Sequence, residues 1–474
     1  MNNGPEILRQ PERTTQRPPA PKPLRERPRE KVLSFEEQRR EDIAARSQAI
    51  QKMDWDLFVS PGPEGPTEYT TERLKTFEAL VEGDELSSQG VENTTANVNS
   101  VNVRSYEREG KPDHIKAFVK SLNGETTYRY DESQGKLMCY RRVVKNGKLV
   151  EEAQPYAFFD EEEKAYVEAE MRRRAANEKQ LRRDIADAYN IKTEDIPLPR
   201  NRYGAREGID SRNPVIREVG ASRINELALL DSVPLTAARA EADNSDLLSL
   251  QEALVDKRTG KAPPHFSLQL FNEFRQQGKE HRGAKSLMRV ACLDYLIKSA
   301  DRASSNLLVI DDVDDHGNPT LNFKAIDNTL SFGLSRAVET ADERGTTKRT
   351  LEPIDAYRSV PMQLAAEHED WFLDSEARSN LRALLGKIES YNTWMSEHNV
   401  DSLSSVEKNQ RDAFRSARYV NQLFEKLYGN PAVAEKEKEG FIERLRYLVE
   451  NGRPPQLPDG SNGNALMRFR EDQI

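Results

Sequence analysis

The sequence predicts an α+β fold, and three observations predict it. Short β-branched or alternating runs occupy about 70–130 and again 306–310 and 321–327. Strong helix formers, with apolar residues at helix spacing or opposite charges four apart, fill 155–191, 214–236, 271–297 and about 364–450. Polar, turn-rich stretches such as DKRTGKAPP (Asp256–Pro264) separate them. A chain of 474 residues, 36% hydrophobic and 32% charged, suits one large two-lobed domain or two small ones with solvated sequence left over.

Taken in chain order, residues 1–50 begin with a Pro- and Arg-rich segment too poor in apolar residues to offset the entropy of ordering it. It reads as a disordered, solvated extension first, with a docking tail for a binding partner, or an export tail, as the alternative. VNVRSYE and HIKAFVKSLNGE, joined by the turn GKPD, form a β-hairpin with Lys120 late in its second strand. Residues 155–191 suit an exposed, solvated helix within a charged helical insertion at about 130–210. In 214–236, Val215, Val219, Ile224, Leu227 and Leu230 share one helical face before Pro234 stops the run. Leu287, Val290, Leu293, Leu296 and Ile297 mark a packed helix that ends at the loop KSADRASSN. NLLVI and LNFKAID then form a second hairpin. Its loop DDVDDHGNPT lacks the bidentate Glu that a calcium loop beginning at Asp312 needs, since Phe323 stands there. The expected boundaries are 51–250 for the first lobe, 251–400 for the second, and 401–474 for a helical C-terminal extension.

A formal net charge of −9 argues against a protein that coats nucleic acid. Cys139 and Cys292 are the only cysteines, which excludes a four-cysteine zinc site and points to a reducing, cytoplasmic compartment. The sequence shows no signal-peptide pattern and no run of about 18 apolar residues that could span a membrane.

The chemistry concentrates around the second hairpin. Phosphoryl transfer from ATP needs a carboxylate at the attacking hydroxyl, oxygen ligands for Mg²⁺ and a cation on the phosphates. Asp301 stands five residues before Asn306, the offset of the catalytic aspartate and metal-binding asparagine in protein-kinase loops. Such a pair is expected about once by chance in a chain of this length, so its weight comes from context. Asp327 follows the second strand of the hairpin, which folds it back toward Asp301 and Asn306 although 26 residues separate the two aspartates. The bland alternative is that Asp301 caps one turn and Asp327 begins another.

CLDYLIKSADRASSNLLVI followed by FKAIDNTLSFG resembles the catalytic segment of type II phosphatidylinositol 4-kinases, within the phosphatidylinositol 3-/4-kinase-like family. REVGASRINELALLDSVPLT is similar to that family's glutamate-bearing helix, DHIKAFVKSLNGE to its lysine strand, and YRSVP (Tyr357–Pro361) is a weaker echo. The resemblance implies a two-lobed, protein-kinase-like fold with ATP and Mg²⁺, or Mn²⁺, as cofactors. It implies that Lys120 and Glu218 form the pair that positions phosphates, with Lys116, on the same strand face, as the competing lysine. It further implies Asp301 at the acceptor hydroxyl and Asn306 and Asp327 on the metal.

By the same resemblance the acceptor is a phosphoinositide at a membrane surface, which would place the protein peripherally at membranes. A protein substrate is the alternative, as for a bacterial effector delivered into a host cell, and a pseudokinase scaffold is the non-enzymatic one. Two departures bear on this: SSQGVENTTANVNS, the expected nucleotide-covering loop, has one glycine, and the family's cysteine-rich membrane cluster has no counterpart. ERGTTKRT (Glu343–Thr350) is locally basic, as a membrane-facing loop would be, but is also an ordinary solvated sequence.

Overall fold

A computed structural model of the chain describes residues 35–58, 68–90, 101–107, 115–121, 127–131, 136–145, 148–156, 161–198, 200, 208–209, 214–244, 246–255, 261–276, 280–313, 319–341, 347–354, 357–398 and 402–456. These residues form a mixed helix-and-sheet structure with small antiparallel sheets. The largest sheet has five strands in the order β1-β2-β3-β8-β7. They are β1 (Glu85–Gly90), β2 (Val101–Tyr106), β3 (Ile115–Ser121), β7 (Thr236–Ala240) and β8 (Leu247–Glu252). β2 and β3 are the expected first hairpin, with Val101 opposite Lys120. On β3, Ala117 and Val119 are buried with Phe77 and Leu80 of helix α2 (Glu68–Glu82). Alternation places Lys116, Phe118 and Lys120 on the other face of the sheet.

The tail reading is corrected for residues 35–50, which belong to helix α1 (Phe35–Phe58). Its buried face runs through Ile43, Ser47, Ile50 and Asp54, at helix spacing. Two of those four positions are polar, so a search for apolar periodicity passes over them. The Pro- and Arg-rich residues 1–34 lie outside the described residues.

The insertion is corrected as well. It is not helical from its start, because β4 (Thr127–Asp131), β5 (Lys136–Lys145) and β6 (Lys148–Pro155) form a three-stranded antiparallel sheet. Helix α3 (Glu161–Tyr189) follows, with charged pairs such as Arg172–Glu168 on its surface. It is not a freely solvated helix. Met171 packs with Tyr128, Leu137 and Cys139, while Ile185, Ala186 and Tyr189 enter the main core. Both cysteines are free and buried.

Helix α4 (Pro214–Ala228) ends six residues before Pro234, because Leu229 and Asp231 adopt left-handed backbone conformations that break the helical path. The expected boundary at 250/251 falls inside β8, whose hydrogen bonds to β3 and β7 keep it whole. Beyond it come α5 (Leu268–Gln276) and α6 (Glu280–Ile297), then the hairpin of β9 (Leu307–Val313) and β10 (Pro319–Ala325). Gly283 lets α6 lie against β10: a Cβ there would sit 2.6 Å from the Phe323 ring. A further hairpin, β11 (Ser335–Ala341) and β12 (Thr347–Pro353), precedes α7 (Val360–Glu367) and α8 (Ser375–Glu397).

The C-terminal helices α9 (Ser405–Ala413), α10 (Arg415–Tyr428) and α11 (Pro431–Asn451) are not an appended extension. Val420, Leu423, Phe424, Phe441 and Leu445 are buried in the same core as α4, α6 and α8. Among the described residues no helix is long and apolar enough to cross a membrane.

Candidate functional site

Five elements bring the predicted residues together. Lys120 projects from the face of β3 opposite the α2 core, and its Nζ lies 2.6 Å from Glu218 Oε1 and 2.9 Å from Asp327 Oδ1. Glu218 is buried in the first half of α4. Its second oxygen, Oε2, accepts the backbone N–H of Asn328 at 2.9 Å. The carboxylate is thereby gripped from both sides. Lys116, at the exposed start of β3, does not share this contact.

Asp327 lies two residues past β10 with φ of 54°. That left-handed conformation is uncommon outside glycine, and Asp and Asn tolerate it best. Its Oδ1 also accepts the Thr329 hydroxyl at 2.7 Å. Burial pushes the Asp327 carboxyl up, but the Lys120 charge, the Thr329 hydrogen bond and the nearby Arg302 charge outweigh it and hold it at about 2. For Lys120, desolvation would favour the neutral amine, and the two carboxylates reverse this and raise its pKa above the ordinary lysine value. Both groups are ionised at neutral pH. The Asp327 side chain is still 41% exposed, so solvent-borne ligands can reach it.

Asp301 follows α6 on a half-buried loop, and a single 3-10 turn (Ser304–Asn306) leads into β9. The Asn306 side-chain NH₂ donates to the Asp301 carbonyl at 2.8 Å, which leaves the Asn306 Oδ1 as an acceptor. The Asn306 carbonyl in turn accepts the Ile326 N–H at 3.0 Å, one residue before Asp327. The loop and the end of β10 are therefore stitched to each other, as the hairpin geometry predicts.

Arg302, Asn328, Asp294 and Ser359 carry no role in the sequence pattern, and the fold makes them the frame of the site. Arg302 is fully buried. Its guanidinium donates to Asp294 Oδ1 at 3.1 Å, to the carbonyls of Asn306 and Ile326, and to Asn328 Oδ1. Burial raises the Asp294 carboxyl, while Arg302 and Ser359 act to lower it. The Ser359 hydroxyl donates to Asp294 at 2.7 Å and also caps α7. The YRSVP stretch thus runs beside the Asp301 loop: the Arg302 N–H donates to the Arg358 carbonyl at 2.7 Å, and the Val360 N–H to the Arg302 carbonyl at 3.0 Å. The available signal was compositional: an Arg and an Asn stand directly after the two aspartates.

Asn306 and Asp327 supply oxygen donors of the hard type that Mg²⁺ accepts, and two protein ligands suffice where phosphates and water complete the shell. Among the described residues there is no cluster of three or more His, Cys, Asp or Glu able to hold a metal by itself. In SSQGVENTTANVNS, residues 91–100 lie outside the described residues, as do 314–318 of the hairpin loop and 343–346 of ERGTTKRT. A scan against protein-family models matches none of them, and no curated protein matches the chain.

Proposed function

We propose that this chain is a two-lobed, protein-kinase-like phosphotransferase that moves the γ-phosphoryl group of ATP to a hydroxyl with Mg²⁺ or Mn²⁺, related to the phosphatidylinositol 3-/4-kinase-like family. One observation carries the reading: Lys120, Glu218 and Asp327, from three distant parts of the chain, meet in one ion-pair cluster beside the stitched Asp301–Asn306 loop. A structural ion pair needs no such neighbours.

In this reading Lys120 rests on the phosphates and Glu218, fixed by Asn328, holds its ammonium in place. The Asn306 Oδ1 and the Asp327 carboxylate hold the metal, which when bound neutralises charge on the phosphates. Asp301 orients the acceptor hydroxyl and receives its proton. Arg302 keeps the loop and the Asp327 turn in register.

For the acceptor, one observation favours a protein or small-molecule hydroxyl over phosphatidylinositol. The sequence over 335–353, which includes strands β11 and β12, has as many acidic as basic residues. The strand register sets Arg336 opposite Glu352. A net-neutral stretch gains little at an anionic bilayer, where attraction comes from clustered Lys and Arg.

The test incubates purified protein with labelled ATP and Mg²⁺, with phosphatidylinositol vesicles in one tube and a cell lysate in another, and Asp327→Ala as control. Label in protein or small-molecule fractions supports the favoured acceptor, and label in lipid makes the chain a lipid kinase. No label above the control in either tube overturns the phosphotransferase reading in favour of a pseudokinase scaffold.

A further inference from the structure

Helix α4 carries Glu218 on one side, and a second charged residue, Arg223, leaves its other side. Five residues at about 100° each place the two side chains about 140° apart around the helix. Arg223 is fully buried and meets Asp54 of α1 as a bidentate pair, Nε to Oδ1 and an NH₂ nitrogen to Oδ2, both at 2.9 Å. The same guanidinium donates to the Thr236 carbonyl of β7 at 2.8 Å and lies 5.4 Å from the ring centre of Phe77. The Tyr419 hydroxyl of α10 donates to Asp54 at 2.8 Å.

The rest of α1 is anchored along β7, an edge strand of the five-stranded sheet. Ser47 Oγ accepts the Ala240 N–H at 3.1 Å, and the Gln51 side chain donates to the Ala238 carbonyl at 3.2 Å. Helix α4 is therefore held by ionic contacts to three neighbours: Glu218 to the site, Arg223 to Asp54 of α1, and Glu226 to Arg73 of α2. A buried ion pair adds little net stability over an apolar contact, yet it demands its geometry, because a buried charge that loses its partner is costly.

From this arrangement we infer that α1 is a strap that sets the orientation of α4, and that Asp54 is a positioning residue acting on the Lys120–Glu218 pair through Arg223 and the body of the helix. The inference rests on the reading above that this pair holds a nucleotide. In sequence the strap directly follows the Pro- and Arg-rich residues 1–34.

The full chain is compared with Asp54→Asn, Lys120→Met, the double variant and Tyr419→Phe. MgATP affinity is measured, together with amide hydrogen exchange of the nucleotide-free proteins. Asp54→Asn is expected to weaken MgATP by at least about fivefold, the lower end of ordinary coupling between sites. The double variant should bind no more weakly than Lys120→Met, because both changes disable one pair. Exchange should rise in α4 and β3 while α8 is unchanged. Unaltered MgATP affinity in Asp54→Asn, losses that add in the double variant, or exchange that rises uniformly would each overturn the strap. If Asp54→Asn does not fold, Tyr419→Phe decides: faster exchange confined to α4 and β3 supports the inference, and unchanged exchange overturns it. Should the unaltered protein not bind MgATP, the nucleotide reading fails by itself, and the exchange pattern still decides whether α1 sets α4.

Discussion

Asp327 and Asp301 differ in what they touch, and the difference can be measured. Asp327 contacts Lys120 and in the proposed function holds the metal, so Asp327→Ala should abolish MgATP binding by calorimetry along with turnover. Asp301→Asn should retain most MgATP affinity while turnover falls by at least about 100-fold, the lower range for a lost general base. Arg302 predicts a stability effect instead. Arg302→Met leaves Asp294 buried without its cation, and should cost about 3–5 kcal/mol in chemical denaturation. The Asp327 carboxyl also sets an acid dependence. Its folded pKa, about 2, lies below the ordinary 3.8, so its contribution to stability is complete above that value and is lost as the pH falls toward about 2. The melting temperatures of the unaltered protein and Asp327→Asn should therefore converge between about pH 4 and pH 2. At this scale residue type and spacing single out Asp301, Asn306 and Asp327, and the fold stitches their segments together. The sequence was silent on Asp294 and Arg302, because a buried Arg looks like a surface Arg until its carboxylate partner is known.

Secondary-structure elements were legible in proportion to how regular their burial is. The β9–β10 hairpin and α6 follow from apolar periodicity, and their close packing rests on Gly283. Gly283→Ala drives a Cβ into the Phe323 ring and should destabilise the protein by about 1–3 kcal/mol, read from the denaturation midpoint. Helix α1 was misassigned because Ser47 and Asp54 occupy its inward stripe. The sheet β4–β6 was absorbed into a helical insertion because the charged sequence of α3 dominates that region. Burial of α3 residues such as Ile185 and Tyr189 arises from contacts far away in sequence, which periodicity within the helix does not reveal.

The whole molecule is closed by its C-terminal helices. Glu437 of α11 accepts hydrogen bonds from Tyr189 of α3, from Lys298 after α6 and from Ser335 at the start of β11. Burial raises its carboxyl, and the charges of Lys298 and Arg444 with these donors more than reverse that, keeping it ionised. Glu437→Leu should leave Lys298 buried without its anion and lower stability by about 3–5 kcal/mol. Truncation after residue 400 removes Leu423, Phe424, Phe441 and Leu445 from the main core. The shortened chain should fail to give a cooperative melting transition by calorimetry.

By itself the sequence determined the α+β class, the two hairpins, the packed helices and the candidate residues Asp301, Asn306 and Asp327, because each of these depends on local periodicity or on side-chain chemistry. Only the tertiary structure decided that Lys120 rather than Lys116 meets Glu218, that α1 meets α4 through Asp54 and Arg223, and that the end of α3 and the C-terminal helices share one core with α4 and α6. Those choices depend on which buried charges find partners, and the partners stand up to 365 residues apart along the chain.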